Sequence, residues 1–343
     1  MKNLTIKDVA RRANVSIATV SRVINNKPWA SEKAKEKVWQ AIRELGYEPN
    51  ALARGLVSGK SNTIGVLIPD VSNLFFAEVF RGMEDAVHER NSNVFICNTD
   101  SDKRRMLRYI KLLKEKQIEG VIFTSEEVTE EYFEALQQLH VPVVLVATTA
   151  SRHELPVVKV DDHQAVYEAV TYLIQSGHRE IGMISGPLDD AIAGSPRYHG
   201  YQAALADHRI PCKTENVVFG DYRFHSGRRA IRELLARNPG LTAVFASSDE
   251  MAIGAMVEAC KMGIAIPEQL SVMGFDNVRL AEMSNPALTT VAQPLYEMGY
   301  RAVELLFELI DQYQIEGKID WSGPTIKMNH QIVERESVKR RSL

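Results

Sequence analysis

Cysteine is scarce in this chain: three in 343 residues, Cys97, Cys212 and Cys260, odd in number and far apart. That excludes a disulfide framework and offers no C-x-x-C metal spacing, so the three are expected to be buried free thiols. Long apolar runs are missing as well. No stretch approaches the roughly 20 residues needed to span a bilayer. The opening residues, MKNLTIKDVARR, lack the apolar segment of a secretion signal, which predicts a cytoplasmic protein with no membrane partner. Catalytic signatures are absent too: no G-x-S-x-G, H-E-x-x-H or G-x-G-x-x-G occurs. The segment GLVSGKS leaves three residues between Gly55 and Gly59 where a phosphate-binding loop needs four, and it follows a helical stretch instead of a strand. Asp161-Asp162-His163 reads as a strand end followed by a helix cap, not a metal site. Neither an enzyme nor a resident cofactor is expected.

What is present divides unevenly. Residues 1–60 hold 12 Lys or Arg against 5 Asp or Glu, and the remainder 29 against 39. A small basic head on an acidic body predicts that only the head meets a polyanion. The head reads as three short helices. The first covers 6–13, with Thr5 as its cap and Asp8 in its first turn; a tight turn at Asn14-Val15 leads to a second helix capped by Ser16. The third runs from Ser31 to Leu45 and stops at Gly46. This is the helix-turn-helix pattern. The second helix buries Val20, Val23 and Ile24 and turns out a short, half-apolar, acid-free face. On that face Arg22 forks onto guanine, while Ile17 and Ala18 reach a thymine methyl or allow close approach. Thr5, Ser16, Thr19, Ser21, Asn25, Tyr47 and Asn50 are the candidate phosphate contacts, which fix register without reading sequence. The competing explanation, a helical hairpin with a solvated face, leaves the exposed Ile17 unaccounted for.

After YEPNALARGL and the joint SGKSN, strand-length apolar runs alternate with amphipathic helices: TIGVLIP, NVFICN, GVIFTS, VPVVLVA, EIGMISG, TAVFASS, LSVMGFD. Such alternation means parallel sheets covered by helices, and about ten strands over some 280 residues suit two sheets better than one. Ligands of such sheets bind at the carboxyl ends of the strands. There the sequence places Asn73 with Phe75 and Phe76, Asp161, Tyr222, Ser248 with Asp249, and Asp276.

These residues also carry a resemblance. TIKDVARRANVSIATVSRVINN, LGYEPNALARGL, FFAEVFRGMEDA, SGHREIGMISGP, SSDEMAIGAM and SVMGFDNVRLAEMSNPALTTVAQP resemble the LacI/GalR family of bacterial transcription regulators, over essentially the whole chain. The resemblance implies a small all-α helix-turn-helix head joined to an α/β, two-lobed, periplasmic-binding-protein-like core of doubly wound parallel sheets. The expected divisions are 1–48 for the head and 49–61 for a hinge helix and linker. The N-terminal lobe is then 62–161 with 293–321, and the C-terminal lobe 162–292 with 322–343. Ile17, Ala18 and Arg22 match base-reading positions, and Ala53 and Leu56 match a hinge that wedges into the minor groove. Phe75, Phe76, Arg197, Tyr222, Ser248 and Asp276 match effector-contacting positions. The implied function is a homodimeric, effector-controlled repressor of a carbohydrate-use operon on a near-palindromic operator. A sugar or sugar phosphate is the favoured effector, with a nucleoside or purine as the alternative. A transport solute-binding protein shares the core but has no use for a basic head. One branch of the family docks a serine-phosphorylated phosphocarrier through an Arg on the long C-terminal helix; the matching Glu304 repels that partner. No leucine heptads end the chain, so a dimer and not a tetramer is expected.

Overall fold

The computed structural model describes residues 4–24, 30–47, 61–150 and 152–341. It divides into two units, Met1–Asn62 and Thr63–Leu343. The expected hinge and the candidate contacts Asn25, Asn50, Ala53 and Leu56 lie outside the described residues.

In the first unit, α1 (Ile6–Ala13), α2 (Ile17–Ile24) and α3 (Glu32–Leu45) bring Val9, Val20, Val23, Val38 and Ile42 into one small core. The amide and hydroxyl of Thr5 donate to the Asp8 carboxylate at 2.9 and 2.7 Å, satisfying the start of α1. Asn14 ends α1 in the left-handed conformation, φ 52, which asparagine tolerates, and so turns the chain sharply into α2. The Ser16 hydroxyl accepts from the Thr19 amide at 3.1 Å. Ser31 caps α3, and Gly46 closes it at φ 62.

The second unit contains two sheets with the same plan. The first holds β1 (Thr63–Ile68), β2 (Asn93–Asn98), β3 (Gly120–Thr124), β4 (Val143–Val146), β5 (Val157–Val160) and β11 (Thr325–Met328), in the order β11-β5-β4-β3-β1-β2. The second holds β6 (Ile181–Ser185), β7 (Val217–Phe219), β8 (Ala243–Ala246), β9 (Ser271–Asp276), β10 (Thr289–Ala292) and β12 (Gln331–Val333), in the order β12-β10-β9-β8-β6-β7. Every described pairing is parallel except β12 on β10. Runs such as GVIFT, IGMIS and AVFA are buried throughout, as strands covered on both faces must be.

Helices α4 (Leu74–Glu89) and α12 (Leu295–Glu316) cover one face of the first sheet, burying Met83, Met298 and Leu306 against Val66 and Val144. The other face carries α5 (Lys103–Glu115) and α6 (Glu130–Gln137), with Ile110 and Leu136 against Phe123. The second sheet lies between α7 (Asp162–Gln175) with α8 (Gly194–Asp207) and α9 (Phe224–Arg237) with α10 (Asp249–Lys261). A short helix, α11 (Arg279–Met283), precedes β10.

The chain passes between lobes three times: after Val160, after Ala292 and after Met328. The last crossing falls later than the division expected at residue 321. Thr325–Met328 pairs with β5 at the edge of the first sheet, and its alternate residues are exposed, so it has no buried apolar run to announce it. A second difference concerns the thiols. Cys97 is buried, but Cys212 and Cys260 are exposed, one in the loop after α8 and the other on the outer face of α10.

Candidate DNA-reading surface and effector cleft

On α2, Ile17, Ala18 and Arg22 are all exposed, while Val20 and Val23 hold the helix to its core. Ile17 keeps 45% of its surface in solvent, in a helix whose first turn has no carboxylate. The exposed face is short-chained and apolar apart from one long cation, Arg22. Thr5 and Ser16 are exposed beside it, Thr19, Ser21 and Tyr47 half-buried. Ser16 and Thr19 hydroxyls share a 2.9 Å hydrogen bond, which holds both polar groups at the helix entry.

Within the second unit, the carboxyl ends of both sheets face one cavity of about 590 Å³. Its walls follow from how each strand hands over to its helix. Asn73 caps α4 by accepting from the Phe75 amide at 2.9 Å. Phe75 and Phe76 stand edge to face with centroids 5.2 Å apart; Phe76 enters the core and Phe75 stays half-buried on the wall. On the opposite wall, Arg197 rises from the first turn of α8 and is 7% exposed. Its guanidinium lies 3.9 Å from the centroid of Phe275, donates to Asp162 at 2.9 Å, and donates to the Ser247 carbonyl at 2.6 Å. Burial works against that charge, but Asp162 and Asp276 raise its pKa and keep it protonated.

Tyr222 holds a left-handed backbone, φ 64, and its hydroxyl donates to Asp190 Oδ2 at 2.5 Å. Burial pushes its pKa up, so it stays a neutral donor. The ring lies over the end of β6 because Gly186 has no side chain there; a Cβ would stand 2.0 Å from the Tyr222 oxygen. Ser248 caps α10, accepting from Met251 at 3.2 Å and donating to the Tyr222 carbonyl at 3.0 Å. Asp276 sits at φ 116 and accepts from Gln293 at 2.8 Å. Beneath it, Asp249 accepts from Thr290 and from the Val278 amide. Burial pushes Asp276 up to about 7 against the pull of Arg197. Burial, then the charge of Asp276, pushes Asp249 well above the ordinary carboxylate range. The two carboxyls therefore resist ionising together.

Of the eight expected effector residues, seven line this cavity. The eighth, Asp161, does not. It caps α7 through the Gln164 amide and pairs with Lys327 on β11 at 2.9 Å, while its neighbour Asp162 faces the cavity. β5 ends at Val160, so the capping residue must turn back on its own helix and the next one takes the wall. Asp190 belongs to the site as well. It accepts from the Ile192, Ala193 and Gly194 amides at 2.9, 3.3 and 3.1 Å while holding Tyr222. An aspartate shortly ahead of a helix start was the available signal, though two adjacent aspartates left the choice open. Arg223 carried none. It pairs with Asp70, 153 residues away in the other lobe, so this ion pair ties the two walls at the cavity mouth.

Comparison with known proteins settles what the two units are. Residues 5–50 match the model of bacterial regulatory proteins of the lacI family. Residues 61–330 match that of periplasmic binding proteins and the sugar binding domain of the LacI family. The chain belongs to the LacI family. It is a sequence-specific DNA-binding transcription regulator under the control of an effector. Among its relatives, catabolite control protein A of Priestia megaterium is 41% identical over 98% of this chain and 100% of that one. The ribose operon repressor of Halalkalibacterium halodurans is 36% identical over 91% and 92%. Among solved structures, a transcriptional regulator CelR–cellobiose complex is 30% identical, covers 97% of this chain and 99% of its own, and superposes with a TM-score of 0.73.

Proposed function

We propose that this LacI-family regulator is a homodimeric repressor of a carbohydrate-use operon. The observation that carries the reading is the cavity itself: half-buried Phe75 on one wall, and Asp190, Arg197, Tyr222 and Asp276 on the other. An aromatic edge and carboxyl groups that accept from neighbouring hydroxyls suit a polyhydroxyl ring. Asn73 and Ser248 complete the walls and spend their side chains on helix caps, so they shape the site more than they bond a ligand. A relative named for the ribose operon and a structure bound to cellobiose support the same class.

In the head, Ile17, Ala18 and Arg22 read bases, while Thr5, Ser16, Thr19, Ser21, Asn25, Tyr47 and Asn50 hold phosphates. Ala53 and Leu56 act at the minor groove. One short helix offers too few contacts for useful specificity, so two heads read two half-sites. Effector binding alters lobe closure, and shifts DNA affinity by its differential affinity for the two states. The phosphocarrier partner is disfavoured: Glu304 is an anion where that docking needs an Arg, and the neighbouring Arg301 is already paired with Glu304 and Glu308, at 3.2 and 2.9 Å.

The test is selection of binding sites from random duplexes with the full-length chain, then titration of the selected site with Arg22→Ala. Specific binding should weaken by about 1–3 kcal/mol, with one guanine position relaxed. An equal loss on random DNA would remove Arg22 from base reading. Addition of sugars to the complex should change its dissociation constant. If nucleosides do so and sugars do not, the carbohydrate assignment fails.

A further inference from the structure

Parallel α/β lobes present helix N-termini at the carboxyl ends of their strands, and these are ready-made seats for phosphate. In this cavity the chain's own groups already occupy part of several of them. At the start of α8 the Asp190 carboxylate takes three backbone amides and the Tyr222 hydroxyl. At α7 the Asp161 side chain takes the Gln164 amide, and Asp162 follows at the first helical position facing the cavity. At α10 Ser248 takes the Met251 amide, with Asp249 and Glu250 in the first turn. Ahead of α9, Asp221 accepts from the Arg223 amide at 3.0 Å, and at α4 Asn73 accepts from Phe75.

The side-chain charges point the same way. Seven carboxyl groups line the cavity and two guanidiniums oppose them. Neither guanidinium is free. Arg197 is held by Asp162 and the Ser247 carbonyl, and Arg223 lies between Asp70 and Glu250. Among the described residues, a dianionic group entering here would meet seven carboxyl groups and two guanidiniums that are both already paired.

We infer that the cavity takes an uncharged polyhydroxyl ligand and excludes its phosphorylated form. This deepens the carbohydrate reading and rests on it. Hydroxyl groups of the ligand donate to the carboxylates, which have acceptor capacity left over from their helix caps. Phosphate has nothing to donate in its ionised state and brings only like charge. The cavity thus separates a sugar taken up unmodified from one phosphorylated on entry, so the signal is the free sugar.

The experiment uses the full-length chain and calorimetric titration with matched pairs: glucose, ribose and cellobiose, each beside its phosphomonoester. Binding should be confined to unphosphorylated members, with the phosphorylated partner of any binder weaker by about a hundredfold or more. Replacing Glu250→Gln and Asp100→Asn together should recover about tenfold of the phosphorylated partner's affinity. A phosphorylated sugar binding as tightly as its free form overturns the inference. Inorganic phosphate supplies an arm independent of sugar identity: phosphorus NMR should show no broadening at millimolar phosphate that is removed by Arg197→Met. Broadening that the variant abolishes also overturns it. If nucleosides bind and no sugar of either kind does, it is the carbohydrate reading that falls, and the inference falls with it.

Discussion

The two lobes of the core share one topology and differ in what they bury. Among the described residues, the first lobe hides only threonines as polar side chains at its strand ends: Thr99, Thr124 and Thr148. Among the same described residues, every buried charged group lies in the second lobe: Asp162, Arg197, Asp249, Glu258 and Asp276. Strand order therefore decides where a ligand sits, while the choice of side chains on one sheet decides what it is. The first lobe supplies the aromatic wall and a well-packed support. The second carries a buried polar network that costs desolvation and, on the proposed function, selects the ligand.

The largest expected break in this asymmetry is Arg197→Ala. Among the described residues it leaves the buried Asp162 with only Lys159 as a cationic partner, at 3.8 Å, and thermal unfolding should show a loss of about 3 kcal/mol, toward the lower end for breaking one side of a buried ion pair. Sugar binding should vanish with it. The equivalent wall of the first lobe has no buried charge to strand, so truncating half-buried Phe75 should cost less stability while still weakening the ligand.

The second expectation concerns pH. Asp276 is raised in the folded state, to about 7, above its ordinary carboxylate value, so the native state binds the extra proton. Its contribution to stability is fully present below the unfolded value and is lost as pH rises through the folded one. Asp249 is raised as well and is coupled to it, so unfolding of the ligand-free chain should show a stability loss approaching neutrality that Asp276→Asn reduces and that Asp276→Asn with Asp249→Asn abolishes. A loss retained by the double variant would place the titration elsewhere. Sugar affinity should move the opposite way, rising through the same range, because only the ionised carboxylate accepts on both oxygens.

Gly186→Ala should have a smaller effect on stability. The new methyl collides with the Tyr222 hydroxyl and must push the ring off Asp190. Sugar affinity should fall about tenfold while the unfolding temperature changes by only a few degrees. Unchanged affinity would show that Tyr222 is not a ligand contact. The smallest effect belongs to Asp70→Asn. Its ion pair with Arg223 joins the lobes, but both side chains are about one third exposed, so the loss should stay under about 1 kcal/mol and shrink in salt. A larger loss would make the cavity mouth a main determinant of lobe closure.

Legibility in the sequence followed the range of the interaction. Thr5, Asn14, Ser16, Ser31 and Gly46 mark the ends of the head helices because each cap is satisfied within a few residues. The buried strands were visible as unbroken apolar runs. β5, interrupted by Lys159, and the short edge strands β11 and β12 were not. Six of the seven expected effector residues that line the cavity were readable at strand ends, and Arg197, on a helix, was marked only by the family resemblance. The exchange of Asp161 for Asp162 turned on a single residue of cap register, which periodicity cannot resolve. The Asp70–Arg223 pair depends on how two lobes meet, and no local pattern encodes that.

The most direct test of the account is the affinity of the full-length chain for its selected operator, measured by fluorescence anisotropy with and without saturating sugar. The wild type should change its dissociation constant by about tenfold or more, and Arg197→Met should bind the same operator with no response to the sugar. A wild-type operator affinity that is indifferent to a sugar filling the cavity would contradict it.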